Sequence, residues 1–253
     1  MPHDRVYVKL EEGFQKDLFL SAKRKYGSWP KLSKEIKCSN LSLTNWAYSK
    51  SFVSLSSLIN ITKITNTDLE TIEKQVTALA TGRKTKINGK RGKPIFNPKF
   101  PIKLTPELSR VIARFMGDGC IKTNWYYEAS YNNTNDVLIE EMKKDVTNVF
   151  GSCDIFEGVD TRGNGIKFIN FPSIVGMLVV SMVGDVSTTH ARIPNQILNG
   201  QDDIKSAFLQ AYFDDEGTVG LKQPMVRYYT VNQESSKGIM KLLNDLDIKD
   251  YLA

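Results

Sequence analysis

Val111-Ile-Ala-Arg-Phe-Met-Gly-Asp-Gly119 and Leu209-Gln-Ala-Tyr-Phe-Asp-Asp-Glu-Gly217 are two versions of one pattern. Each is an apolar helical run with a small residue in its middle, closed by an acid and a glycine. Asp118 and Glu216 lie 98 residues apart, too far for a local motif and suited to two copies of one structural unit. If the two helices pack side by side, Ala113 and Gly117 lie one turn apart on a common face and permit close backbone approach. The two acids then meet at the same end of the helix pair. Two carboxylates held that close repel each other unless a divalent cation sits between them.

The sequels to the two segments also match. Gly119 is followed after a gap by Tyr131-Asn-Asn-Thr-Asn-Asp136 and a helical pattern of Leu138, Ile139, Met142, Val146, Val149 and Phe150. Gly217 is followed by Tyr228-Tyr-Thr-Val-Asn-Gln-Glu234 and then Ile239, Met240, Leu242, Leu243 and Leu246. Asn133 lies 14 residues after its glycine and Asn232 lies 15 after its own. Between the copies, 153–160 and 166–171 read as strands joined around Gly163-Asn-Gly165, a hairpin signal, and Pro172 precedes an apolar helix from Ile174 to Val183. The order from Leu108 is therefore helix, two strands, helix, two strands, helix, and then the second motif helix near Ile204.

These segments resemble the paired motifs of the LAGLIDADG family, the homing endonucleases and their relatives, in the single-chain form with two pseudo-symmetric halves. The first is similar to the family's G-D-G variant and the second to its D-D-E-G variant. The resemblance implies an α+β fold of αββαββα order, with a saddle-shaped antiparallel sheet whose outward side chains read the major groove. Only 36 residues follow Gly217, so the second repeat is expected to be truncated by one hairpin and its terminal helix. That reads as a fragment of a longer protein or a decayed gene. A monomer with two pseudo-symmetric halves is expected if the full second repeat is present.

The resemblance also implies a chemistry. Asp118 and Glu216 would each hold a divalent ion, Mg²⁺ or Mn²⁺, against a scissile phosphate of double-stranded DNA, giving a staggered cut of both strands. Three departures from the family pattern stand out. Asp215 occupies a position where the family packs a small residue; it either joins the site as a third acid or caps the helix end. The family's lysine before a pair like Ile193-Pro194 is absent, which leaves His190 or Arg192 as substitutes, with Lys122 and Lys222 on the strands after each motif as further catalytic candidates. Tyr126, Tyr127, Tyr228 and Tyr229 sit in strands whose alternation sends one of each pair inward.

Composition narrows the class further. The 253 residues suffice for a sizeable core, and no apolar run approaches a membrane span. Met-Pro-His-Asp-Arg lacks the layout of a secretory signal. Cys38, Cys120 and Cys153 are scattered and odd in number, which disfavours a disulfide framework. With His3 and His190 as the only histidines and no Cys-x-x-Cys, a structural zinc is set aside. A cytoplasmic, nucleoid-associated place in a prokaryotic or archaeal-like cell is the expectation.

The net charge of +6 is localised. Arg83, Lys84, Lys86, Lys90, Arg91 and Lys93 bring six positive charges into Gly82–Lys93 with no acid to offset them. Three glycines and the absence of hydrophobic periodicity mark this stretch as a linker, followed by an extended run at Pro94, Pro98 and Pro101. Such a run either follows a phosphate backbone or forms a solvated tether.

Ahead of it, Phe14, Leu18 and Ala22 predict a helix ended by Gly27, and Ser28 can cap a second with Pro30 in its first turn. Residues 37–42 read as a turn and 43–48 as a short helix burying Leu43, Trp46 and Ala47; a last helix runs from Leu55 to about Ile64. Helix, polar turn and helix with an inward Trp resemble a helix-turn-helix. Ser42, Thr44, Asn45 and Tyr48 would face outward to bases or phosphates, with Lys50 beside them. The expected layout is a small all-helical DNA-binding domain over 1–80, a basic Gly/Pro linker over 81–103, and the endonuclease-like domain over 104–253.

Three functions fit. One is a sequence-specific homing endonuclease, free-standing because no splicing nucleophile stands at the start of the chain and no Asn before a nucleophile at its end. The second is a DNA-binding transcriptional regulator that keeps the scaffold without cleavage. The third is an RNA-binding intron maturase.

Overall fold

Val6-Tyr-Val-Lys-Leu10 alternates apolar and polar residues, and this period-two pattern forms a strand, β1 (Val6–Leu10), with Val6, Val8 and Leu10 buried. The computed structural model describes residues 5–82, 92–123, 127–160, 165–187, 190–220 and 225–249. The chain divides into two units, Met1–Phe100 and Pro101–Ala253.

The first unit continues with α1 (Glu12–Tyr26), α2 (Trp29–Glu35), α3 (Asn40–Ala47), β2 (Val53–Ser54), α4 (Leu55–Thr65), α5 (Leu69–Lys74), β3 (Val76–Thr81) and β4 (Ile95–Phe96). It is not all-helical. β1 pairs antiparallel with β2 and β3, and β3 pairs with β4. The alternation of Val6 to Leu10 carries this strand signal over five residues, ahead of the longer helix-period pattern that follows it. Gly27, at φ +80°, ends α1 as expected, and the Ser28 hydroxyl accepts from the Lys31 N–H to start α2. Helix α3 begins at Asn40, earlier than the expected Leu43, because the Ser39 hydroxyl caps it by accepting the Ser42 N–H at 3.0 Å.

The basic run also has a different setting from the one its composition suggested. Leu79 pairs with Ile95 and Ala78 with Phe96, so residues 82–94 connect two paired strands of the first unit. Ile95 is fully buried, which anchors the far side of that connection. Arg83, Lys84, Lys86, Lys90 and Arg91 themselves lie outside the described residues, whereas Lys93 is described and exposed.

The second unit runs α6 (Pro106–Met116), β5 (Gly119–Lys122), β6 (Glu128–Asn133), α7 (Asp136–Phe150), β7 (Ser152–Cys153), β8 (Phe156–Val159), β9 (Lys167–Phe171) and α8 (Ser173–Val183). A short α9 (Asn195–Leu198), α10 (Asp202–Glu216), β10 (Gly217–Val219), β11 (Val226–Tyr228) and α11 (Gln233–Asp245) complete it. The αββαββα order is present, and the fold is α+β with antiparallel sheets. The sheet order is β5-β6-β9-β8, and the hairpin tip predicted at Gly163-Asn164 lies outside the described residues. Gly176 lets α8 settle on this sheet: a Cβ there would stand 3.1 Å from the Ala129 and Ile121 side chains.

Helices α6 and α10 form the centre of the unit. Ala113 and Ala211 are fully buried, and the buried Ser109 hydroxyl donates to the Ile204 carbonyl at 2.8 Å. Each helix leads directly into a hairpin, Gly119 pairing with Tyr131 in the first copy and Gly217 with Tyr228 in the second. The next helices are capped alike: Asn135 accepts from the Val137 N–H and Asn232 from the Glu234 and Ser235 N–H groups. The structural counterpart of Asn232 is therefore Asn135, and not Asn133 as the spacing suggested. β10 and β11 form a two-stranded sheet, where the first copy builds four strands.

Candidate active site

Both motif glycines sit where the chain leaves a helix and doubles back over its last turn. A Cβ at Gly119 would stand 2.6 Å from the Arg114 carbonyl oxygen, and one at Gly217 would stand 2.4 Å from that of Phe213. No side chain fits either place, which explains the glycine that follows the acid at each helix end. The turn brings Asp118, just beyond α6, and Glu216, the last residue of α10, to one end of the helix pair.

The two acids influence each other there. Burial raises the Asp118 carboxyl above its usual range, partly offset by the charge of Arg114 and by the Asn133 amide, which donates at 2.9 Å. Burial also raises Glu216, and the charge of Asp118 raises it further. Neither effect needs a third party: half-burial removes water from a charge, and a like charge nearby adds to the cost.

Asp215 does not cap the helix. Its side chain is fully buried between the helices, opposite Gly117, where its Oδ1 accepts from the Tyr131 hydroxyl at 2.7 Å and from Arg114 Nη1 at 3.2 Å. Its Oδ2 has no hydrogen-bond partner among the described residues. Burial, with the Asp118 charge adding to it, pushes this carboxyl up to about 7, against the Tyr131 bond and the Arg114 charge.

Arg114 is itself fully buried, and its Nη2 reaches Glu141 at 2.8 Å and Asp214 at 3.7 Å. A buried guanidinium is tolerated only with such partners. The sequence reading passed over Arg114, Tyr131 and Glu141. The available signal was the charge of Arg114 in the middle of an apolar motif helix, a place that demands a buried counter-charge.

The other sequence candidates are less central. Lys122 is exposed and faces Glu128 across the hairpin at 3.5 Å, not the acids. Lys222 and Tyr126 lie outside the described residues. His190 is exposed, its backbone N–H bonded to the Ser187 carbonyl, and exposed Arg192 lies 3.7 Å from Glu234. Tyr228, the last residue of β11, is half-buried against Tyr212 and Phe213, whereas Tyr229 lies just past the strand and is 79% exposed. Tyr127 is half-buried.

In the first unit, Leu43, Trp46 and Ala47 are buried as expected, while Tyr48 and Lys50 are exposed. The Thr44 hydroxyl bonds back to the Asn40 carbonyl at 2.9 Å. Ser42 and Asn45 line an open cleft of about 700 Å³ with Lys37, Ser54, Ser57 and Asn60, and none of its lining residues is acidic.

Residues 203–253 match the family model of the LAGLIDADG-like domain. A DNA polymerase of Thermococcus kodakarensis is 20% identical over 168 residues, 64% of this chain and 9% of the relative. A DNA polymerase of Thermococcus hydrothermalis is 20% identical over 167 residues, with the same shares. The chain thus spans less than a tenth of the length of these relatives. Among solved structures, mesophilic variants of the homing endonuclease I-DmoI align with a TM-score of 0.45 at 15% identity, covering 58% of this chain and 74% of theirs. I-DmoI in complex with DNA and Mn aligns at 0.42 and 13% identity, over 60% and 83%. I-WcaI bound to its DNA recognition sequence aligns at 0.35 and 17%, over 58% and 69%.

Proposed function

We propose that this chain, which carries a LAGLIDADG-like domain over residues 203–253, is a DNA endonuclease that hydrolyses phosphodiester bonds in both strands of a specific duplex. The observation that carries the reading is the meeting of Asp118 and Glu216 at the end of the α6–α10 pair, both held above their usual carboxylate range.

The residues fit a divalent ion. Among the described residues no group of three or more His, Cys, Asp or Glu side chains is arranged to hold a metal. Two carboxylates suffice for Mg²⁺ or Mn²⁺ when substrate phosphates and water complete the shell. When bound, such an ion neutralises charge on the scissile phosphate and acidifies the attacking water. The chain's own residues do the rest. Gly117 lets the helices close, the turns at Gly119 and Gly217 aim the acids out of the helix ends, and Asn133 holds Asp118 in one orientation. One chain supplies both acids, so a single copy with two pseudo-symmetric halves holds the pair. No helix among the described residues is long and apolar enough to cross a membrane.

The assay is cleavage of a plasmid library carrying flanking genomic DNA, with Mg²⁺. Asp118→Asn or Glu216→Gln should abolish double-strand cutting while leaving DNA binding intact, and nicking of a single strand would assign one acid to each strand. Undiminished cutting by either variant would refute the paired-acid reading. The regulator reading keeps one specific support: apart from Arg114, buried beneath Asp215, no lysine or arginine among the described residues forms an ion pair with the site acids. Specific binding without cutting by the unmodified protein would favour it.

A further inference from the structure

The surroundings of the two acids differ sharply between the copies. In the first, the Tyr131 hydroxyl uses all its bonding capacity. It donates to Asp215 at 2.7 Å and accepts from Arg114 at 3.1 Å and from Asn133 at 3.2 Å. The Asn133 amide is fixed as well. Its Oδ1 accepts the Asn135 N–H at 2.9 Å, so its Nδ2 must face the site, where it donates to both Tyr131 and Asp118. An unbroken series of hydrogen bonds thus runs from Asp215 on α10 through Tyr131 and Asn133 on β6 to the Asp118 carboxylate.

The second copy has the same scaffold without that series. Its register aligns Tyr228 with Tyr131. Thr230, two residues on, accepts the Asn232 N–H at 3.1 Å, as Asn133 accepts that of Asn135. Threonine has no amide left to reach an acid. The position of Arg114 is taken by Tyr212, which packs with Phe213 and Tyr228 as an aromatic cluster. Among the described residues Glu216 has no side-chain hydrogen bond or ion pair.

We propose that Tyr131 and Asn133 are positioning residues for Asp118 alone, so that the two acids serve unequal sites, the Asp118 site preorganised and the Glu216 site ordered only by its ligands. This rests on the reading of Asp118 and Glu216 as the acids that hold metal against DNA. A carboxylate already fixed binds an ion without first losing rotamer freedom, and the Glu216 side chain must lose it on binding.

The test is strand-resolved cleavage of an end-labelled target by the full chain, beside a Mn²⁺ titration followed by electron paramagnetic resonance. Asp118→Asn first identifies the strand that Asp118 serves. Tyr131→Phe should then slow that strand by about tenfold or more at unchanged KM, with the other strand altered by less than about twofold. It should also weaken one class of Mn²⁺ site. Tyr228→Phe, the counterpart change, should leave the ratio of the two strand rates as it is. Asn133→Ala deletes the contact to Asp118 without touching buried Arg114, and repeats the test if Tyr131→Phe folds poorly. Equal slowing of both strands, in step with lost thermal stability, would reduce the series to scaffolding and overturn the proposal, as would unchanged rates in both variants. If the unmodified protein neither cuts DNA nor takes up Mn²⁺, the acid-pair reading fails and the inference falls with it, whatever the Tyr131 variant does.

Discussion

Gly117, at the C-terminal end of α6, lies directly opposite Asp215 on α10: a Cβ at residue 117 would stand 2.9 Å from the Asp215 Cβ and 3.0 Å from its Oδ2. The helices come together because a residue without a side chain faces one with a short charged one. Gly117→Ala should therefore push the helix ends apart. Overpacking of this kind costs about 1–3 kcal/mol, readable as a lower urea midpoint at unchanged slope. Cutting of both strands should fall with it, because both acids ride on the displaced helix ends. An unchanged midpoint would show that the interface yields without cost.

Arg114 and Asp215 both have fully buried side chains, so removal of Arg114 leaves Asp215 with the Tyr131 hydroxyl as its remaining side-chain partner. Arg114→Met should destabilise the chain by about 3–5 kcal/mol, the range for breaking a buried pair. The double variant Arg114→Met with Asp215→Ala should recover part of that loss, since the remaining acids, Glu141 and Asp214, reach solvent. Additive losses in urea unfolding would indicate that the pair is not coupled.

The raised acids set a pH dependence of definite sign. Asp215 titrates at about 7 in the folded chain, against 3.8 ordinarily, and Asp118 and Glu216 are raised as well. The stability they contribute is complete below the unfolded value and is lost as pH rises through the folded one. The metal-free protein should be more stable near pH 5 than near pH 8. Glu11, Asp68, Glu234 and Asp245 are lowered by their hydrogen bonds and act in the opposite sense, their contribution vanishing as the solution becomes more acid. Thermal melts in EDTA should pass through a maximum on the acid side of neutrality, and Asp215→Asn should flatten the limb between pH 5 and 8. A melt that rises steadily from pH 5 to 8 would contradict the burial of these groups.

What was legible in the residues depended on how local the signal is. The motif helices announce themselves by apolar periodicity, and their glycines by the sharp exit each turn requires. Ser28, Pro30 and Gly27 mark helix ends because capping is decided within four residues. Partners such as Tyr131 and Asp215 lie 84 residues apart, and no local pattern encodes that pairing. Arg114 was the available hint, since a charge amid Val111, Ile112 and Phe115 must find buried company. The strands of the first unit were obscured for a different reason: β3, Val76-Thr-Ala-Leu-Ala-Thr, is rich in alanine, a helix former, and becomes a strand through pairing with β1.

The basic run between β3 and β4 carries a prediction that its composition alone motivates. If Lys84, Lys86, Lys90 and Arg91 meet phosphates, replacing all four with Ala should weaken binding to every duplex. It should also flatten the slope of log K against log salt by ~3–4 units, since each phosphate contact releases slightly less than one counterion. An unaltered slope would leave the run as solvated surface.

Sequence preference from the first unit should rest on α3. Its Leu43, Trp46 and Ala47 are buried, which turns Asn45 toward the acid-free cleft beside Ser42. An asparagine amide donates and accepts in one plane and so matches an adenine edge, whereas Thr44 has its hydroxyl engaged by the Asn40 carbonyl. Asn45→Ala should relax discrimination at one or two base pairs by about 1–3 kcal/mol and leave the salt slope unchanged. Trp46→Ala should instead unfold the unit, because its buried ring packs 6.2 Å from that of fully buried Phe19. Binding measured on a library of single-base variants separates the two outcomes. A uniform loss across all variants from Asn45→Ala would make α3 a structural helix and leave recognition to the sheet of the second unit.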